Sequence, residues 1–265
     1  HGVGEAVLFP GSGFAEIALA AALQWQPGEH ADLEDLELLA PLPLHASPSR
    51  QIRLTLDDDG RFSLRAREVG DDAPWALHAS GRLLSGTRGL LLAESMPAMP
   101  DRPHDFSGLD HTLLTRSANL NYGPAFQAIA RGWIESPDST VAELEPDATL
   151  ADSLASHLLH PVLLDCAFQL IFQLLKHDAA LTQGMAFIPA RIGRLCWRAG
   201  LGQPSRARAR LVKRAPYSIT AEFDLFDAQG RQIAAVREVR MRAVRLARDA
   251  GGLDFLDYAA IPCPH

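Results

Sequence analysis

Three short strings concentrate the side chains of this sequence that can do chemistry: His1-Gly2-Val3-Gly4-Glu5-Ala6-Val7-Leu8-Phe9-Pro10, Tyr122-Gly123-Pro124-Ala125-Phe126-Gln127, and His160-Pro161-Val162-Leu163-Leu164-Asp165-Cys166-Ala167-Phe168-Gln169. An imidazole and a carboxyl suit the giving and taking of protons near neutral pH, so these strings point toward general acid–base chemistry. Other chemistries lose their usual signals. No Gly-x-Gly-x-x-Gly follows a strand pattern, no glycine loop ends in Gly-Lys-Ser or Gly-Lys-Thr, and no Gly-x-Ser-x-Gly elbow is present. His104, His111, His157 and His160 show no His-x-x-x-His or His-Glu-x-x-His spacing with a third ligand at hand, so no metal site is expected.

Taken alone, each string also has an ordinary structural reading. Asp165 suits a helix N-cap, Tyr122 closes a turn set by Gly123-Pro124, Gln169 is a satisfied polar group in an apolar helix, and His1 is a chance terminal residue. His160, before a proline, reads as a structural loop residue.

Together, in this order and spacing, the strings resemble the dehydratase domains of modular polyketide synthases. That family's pattern is His-x-x-x-Gly-x-x-x-x-Pro, then Tyr-Gly-Pro-x-Phe, then His-Pro-x-Leu-Leu-Asp-x-x-x-Gln. The resemblance runs from His1 to about Val244, and Met185-Ala186-Phe187-Ile188-Pro189-Ala190-Arg191 looks like the family's late strand motif. It implies a double hot-dog fold and the loss of water from a 3-hydroxyacyl thioester carried on the phosphopantetheine arm of an acyl carrier protein. His1 would be the base for the α-proton and Asp165 the acid for the departing hydroxyl. Burial favours the neutral carboxyl that this role needs, while a helix N-terminus favours the carboxylate.

The resemblance also implies that the Tyr122-Gly123-Pro124 turn lines the substrate tunnel, and that Gln169, one helical turn after Asp165, holds its carboxyl. Backbone N–H donors must stabilise the thioester oxygen, so close approach at a glycine matters beside the base. Here Glu5 stands at the family's glycine position and Gly4 precedes it, so Gly4 is the candidate for that approach. Pro10 and Asp165 are both kept, which favours plain dehydration over double-bond shifting. Relatives that close an oxygen ring by oxa-Michael addition use the same pair, and a catalytically silent scaffold is the rival from another class. No cofactor is implied. The implied partners are an acyl carrier protein, adjacent synthase domains and a second copy of the chain.

Positioning these residues requires a scaffold, and the hydrophobic pattern supplies one. Residues 12–23 read as a buried helix with Ser12 as its cap and Glu16 in the early turns, and residues 165–175 as a second apolar helix. Residues 51–56 and 61–66 alternate around Asp57-Asp58-Asp59-Gly60 as a β-hairpin, and residues 75–84 continue it. Residues 221–226 and 231–244 alternate around Asp227-Ala228-Gln229-Gly230. Both turns read Asp-x-x-Gly-Arg, which hints at an internal duplication. The expected fold class is α+β, two antiparallel curved sheets each wrapped on a central helix. The expected divisions are an N-terminal lobe at 1–95, a proline-rich linker at 96–110, a C-terminal lobe at 111–246 and a tail at 247–265.

Composition narrows the partners. With 265 residues, 47% of them hydrophobic, the chain can bury a sizeable core without staples. Its formal net charge of -7 lacks the basic surplus of a nucleic-acid binder. Arg206, Arg208, Arg210, Lys213 and Arg214 form a basic cluster, read as a solvated strand face ahead of a carrier-protein dock. The longest apolar stretch, residues 15–23, contains Glu16 and is too short for a membrane span of roughly 20 residues. Three cysteines, Cys166, Cys196 and Cys263, have no Cys-x-x-Cys spacing, which points to a reducing cytoplasm.

Overall fold

The apolar run after Pro10 folds as helix α1 (Gly11–Trp25), with Pro10 as its N-cap and no side-chain cap. Ser12, the expected cap, instead lies inside the first turn and is fully buried. The proline starts the helix by itself, because its fixed φ enters the helix without strain. The computed structural model describes residues 2–3, 6–44, 49–70, 72–84, 96, 99–178 and 185–245.

Before α1 come the short strands β1 (Gly2–Val3) and β2 (Ala6–Leu8). After it come β3 (His30–Leu38), β4 (Pro43–Leu44), β5 (Arg50–Leu56), β6 (Arg61–Glu68) and β7 (Ala76–Leu84). The second half opens with β8 (Phe106–Ser107), α2 (Gly108–Ser117), β9 (Leu120–Asn121), a 3-10 turn at Pro124–Phe126, β10 (Ile129–Ser136), β11 (Ser139–Leu144) and α3 (Ala151–Ala155). It closes with α4 (Pro161–Gln169), α5 (Ile171–Leu175), β12 (Met185–Arg198), β13 (Arg206–Ala215), β14 (Ser218–Phe226) and β15 (Gln232–Arg245). Within the 96–110 segment, β8 and the start of α2 are therefore already ordered elements. Residues 247–265 lie outside the described residues.

The fold class is the expected one, and the sheet order adds to it. Spatially the strands run β5-β6-β7-β3-β12-β15-β14-β13-β11-β10-β8, all antiparallel, in one continuous eleven-stranded sheet. The first half contributes β3-β7-β6-β5 outward from the centre, the second β12-β15-β14-β13. Leaving out β4, which belongs to a separate small sheet, the first, fourth, third and second strands after each central helix thus lie side by side in both halves. The halves join where β3 pairs with β12, from Arg191 opposite Glu37 to Arg198 opposite His30. Each central strand is also bulged against its fourth-strand neighbour, β3 between Glu34 and Glu37 and β12 between Pro189 and Arg191.

The two halves therefore repeat one strand order, although the turn motif is no marker of it. Asp57 to Gly60 joins the second and third strands of its half, whereas Asp227 to Gly230 joins the third and fourth of the other. The two turns are alike for a local reason. In each, the aspartate N–H donates to the arginine carbonyl and a glycine at positive φ, 86° and 77°, completes the loop.

Helix α1 packs on β3, β7 and β5, while α4 and α5 pack on β13, β14 and β11. The core is aliphatic and aromatic, with Leu19, Leu33, Leu36, Phe172, Phe223 and Leu164 at most 2% exposed. Among the described residues, no helix is long and apolar enough to cross a membrane.

Candidate active site

The second central helix starts four residues earlier than its apolar pattern suggests, and this places Asp165. His160 is the N-cap of α4: its Nδ1 accepts from Val162 N–H at 3.2 Å, and Pro161 follows at the first helical position. With Nδ1 accepting, Nε2 carries the proton and donates to Ser153 Oγ at 3.0 Å. Burial, helped by His157, pushes the imidazole down to about 4, so it stays neutral. His160 is structural, as its place before a proline suggests. Asp165 is not a cap. It sits mid-helix, and the chain turns tightly at Leu170 before α5.

Asp165 is buried, and Gln169 Nε2 donates to its Oδ2 at 2.8 Å. The same amide nitrogen donates to the Phe126 carbonyl at 3.1 Å, tying the helix to the Tyr122-Gly123-Pro124 turn. On its other side, Gln169 Oε1 meets His111 Nε2 at 3.3 Å, and Gln173 Nε2 meets His111 Nδ1 at 3.1 Å. His111 is brought there by α2, whose first turn is fixed by a reciprocal cap: Asp110 N–H donates to Ser107 Oγ at 3.2 Å, and Ser107 N–H donates to Asp110 Oδ2 at 2.9 Å.

Tyr122 lies beside this carboxyl. Burial above all, and then the neighbouring Asp165 and Cys166, raise its phenol well above the ordinary value, so it stays a hydroxyl. Burial also pushes the Cys166 thiol far up, and its Sγ faces the Phe126 carbonyl at 3.5 Å. A Cβ at Gly123 would meet no atom within 4 Å and its φ is -66°, so neither packing nor backbone demands glycine there. Pro124 opens the 3-10 turn and is exposed.

The first string reaches the same neighbourhood through a small sheet ordered β4-β2-β1-β9. Gly2 pairs with Asn121 and Val3 with Leu120, so β1 runs beside the strand that leads into Tyr122. His1, Gly4 and Glu5 lie outside the described residues. Pro10 caps α1, which contacts α4. Asp165, Gln169 and Tyr122 are thus gathered together, with Gly123 and Pro124 on the turn that follows Tyr122 and Pro10 at the start of the neighbouring helix α1. Among the described residues, no three His, Cys, Asp or Glu side chains are grouped to hold a metal.

Two family models match the chain. One, described as polyketide synthase dehydratase N-terminal domain, covers residues 113–250, and one described as polyketide synthase dehydratase domain covers residues 1–68. The chain belongs to the polyketide synthase dehydratase family. It is 28% identical over 261 residues to the phenolphthiocerol synthesis polyketide synthase type I Pks15/1 of Mycobacterium marinum, covering 94% of this chain and 11% of that one. It is 31% identical over 268 residues to the polyketide synthase GfsA of Streptomyces halstedii, covering 95% of this chain and 3% of the relative. The domain therefore spans a small fraction of these large synthases. Among solved structures, GphF Dehydratase 1 superposes with a TM-score of 0.74 at 27% identity, over 91% of this chain and 87% of that one.

Two members of this buried network, His111 and Gln173, were not legible as candidate residues. Gln173 follows Asp165 and Gln169 at four-residue intervals, and that spacing is the signal for it. His111 carries no such signal, since only the packing of α2 on α5 brings it in. Two members of the basic cluster are paired with carboxylates of nearby strands. Glu135 takes Arg208 at 2.8 and 2.6 Å, and Glu222 takes Arg210 at 2.9 Å. A cavity of about 490 Å³ is walled by Asp35, Arg191, Arg194, Arg237 and Glu238 among others, and includes none of Asp165, Gln169 or Tyr122. Asp35 pairs with Arg191 inside it.

Proposed function

We propose that this domain removes water from a 3-hydroxyacyl thioester presented on the phosphopantetheine arm of an acyl carrier protein. The observation that carries the reading is a buried carboxyl, Asp165, fixed by Gln169 and flanked by Tyr122, on a helix tied to the turn that follows β9. His1 immediately precedes Gly2, which pairs with β9.

In this reaction the His1 imidazole takes the α-proton and the Cα–H electrons form the Cα=Cβ bond. The Cβ–O bond breaks, and the hydroxyl leaves as water with the proton of the Asp165 carboxyl. The proton gained by His1 then returns to Asp165, restoring both groups. Negative charge on the thioester oxygen is met by a backbone N–H at Gly4. Gln169 fixes the rotation of the Asp165 carboxyl, and Tyr122, kept as a hydroxyl, donates at the pocket wall. The open space at Gly123 and the exposed Pro124 suit an acyl-pantetheine chain passing the turn. No metal or redox cofactor is needed for this chemistry. By the family likeness the domain works as a homodimer among neighbouring synthase domains, which sedimentation of the purified domain tests.

Mass spectrometry of a 3-hydroxyacyl thioester bearing a distal hydroxyl tests the reading, using this chain, an Asp165→Asn version and a form extended upstream of His1. A linear enoyl product lost in Asp165→Asn is expected. A product of equal mass that resists hydrogenation of the alkene identifies ring closure instead. Substrate left untouched by the extended form, with carrier protein still bound, overturns the enzymatic reading in favour of a scaffold.

A further inference from the structure

Protons in the Asp165 network are ordered from a single fixed point. The Phe126 carbonyl can only accept, so the Gln169 amide must turn its NH2 toward Phe126 and Asp165. Its Oε1 then faces His111, and His111 Nε2 must carry the hydrogen. A neutral ring leaves Nδ1 as an acceptor, and Gln173 presents its NH2 there. Every step of the chain follows from the one before.

We infer that His111 is a positioning residue for Asp165: through Gln169 it locks the amide that fixes the carboxyl, and it does so only as the neutral Nε2–H tautomer. This rests on the dehydration reading and extends it to a residue outside the three strings. Burial holds the imidazole down at about 4, so the ring enters the network uncharged across the physiological range. The titratable groups around it are Asp110 on its own helix, engaged by Ser107, and Asp165 beyond Gln169 on α4. From β8 it meets the Phe106 ring, centroid to centroid at 6.2 Å, and from α5 the neutral Gln173. Without the His111 donor, Gln169 Oε1 would be left buried and unpaired, and its amide free to swing away from Asp165.

Steady-state kinetics with a 3-hydroxyacyl thioester, joined to 15N-resolved spectra of the His111 ring, test this. His111→Phe should lower kcat about 10- to 100-fold with KM little changed, as expected for a mispositioned acid. His111→Gln, which keeps an N–H donor near the Nε2 position, should recover most of that loss. In a Gln169→Leu background, His111→Phe should add nothing. The wild-type ring should show the Nε2–H tautomer, unchanged from pH 8 to pH 5.5. Full kcat in a folded His111→Phe protein, an undiminished loss in the Gln169→Leu background, or an Nδ1–H ring overturns the inference. If His111→Phe does not fold, His111→Gln and the ring spectra decide. If the wild type turns over no substrate at all, the dehydration reading fails, while the spectra still judge the ring's tautomer independently.

Discussion

The two halves share one strand order and one apolar central helix, yet they use their buried polar residues differently. In the first half, α1 runs unbroken for fifteen residues and buries Glu16. That carboxylate receives the backbone N–H groups of Leu158 and Leu159 at 2.8 and 2.9 Å, just ahead of the α4 cap. In the second half, α4 and α5 are separated at Leu170 and bury Asp165, Gln169 and Gln173 at four-residue intervals. The first helix braces the entrance of the second, and the second holds the carboxyl proposed as the acid. A scaffold that repeats its strand order can thus keep its sheet while a few polar positions divide the work, since the sheet needs only apolar helix faces to pack against.

The division can be broken from either side. The largest effect is expected at Asp165, where Asp165→Asn should cost turnover on the order of 10³-fold with an unchanged melting temperature. A matching loss of stability would place the residue with Glu16 instead. Glu16→Ala should do the opposite: two buried N–H groups lose their acceptor, and chemical denaturation should show about 3 kcal/mol less stability. Turnover per folded molecule should hold.

A smaller effect comes from pH. His111 has a folded pKa depressed below its unfolded value, so its contribution is present above about 6.5 and is lost as pH falls toward about 4. Denaturation at pH 7 and pH 5 should differ by about 2 kcal/mol from this ring, and His111→Phe should remove that share of the difference. Smallest is the cap: His160→Ala should cost about 1 kcal/mol and leave turnover within a few-fold, separating the helix start from the chemistry.

Much of the fold was legible because it is written in local periodicity. The hairpin of β5 and β6 and the late strands β14 and β15 follow alternation and turn residues that need no distant partner. Helix starts were less legible. Ser12 and Asp165 both suit a cap by type, but Pro10 and His160 take those places, because a proline after them or at the cap fixes φ where the helix must enter. The Asp-x-x-Gly-Arg repeat pointed to duplication from turns that are not equivalent, since turn chemistry is local and carries no memory of which strands it joins.

By itself the sequence determined the family, the two apolar helices, the hairpins and the line of Asp165 with Gln169, all of which depend on residue types and short spacings. Tertiary structure alone decided that the halves fuse through β3 and β12 into one sheet, that Glu16 reaches across to residues 158 and 159, and that His111 from α2 closes the network behind Asp165. These contacts join residues far apart in the chain. No spacing encodes them, and they exist only because packing the apolar faces brings otherwise unrelated polar groups to where each must find a partner.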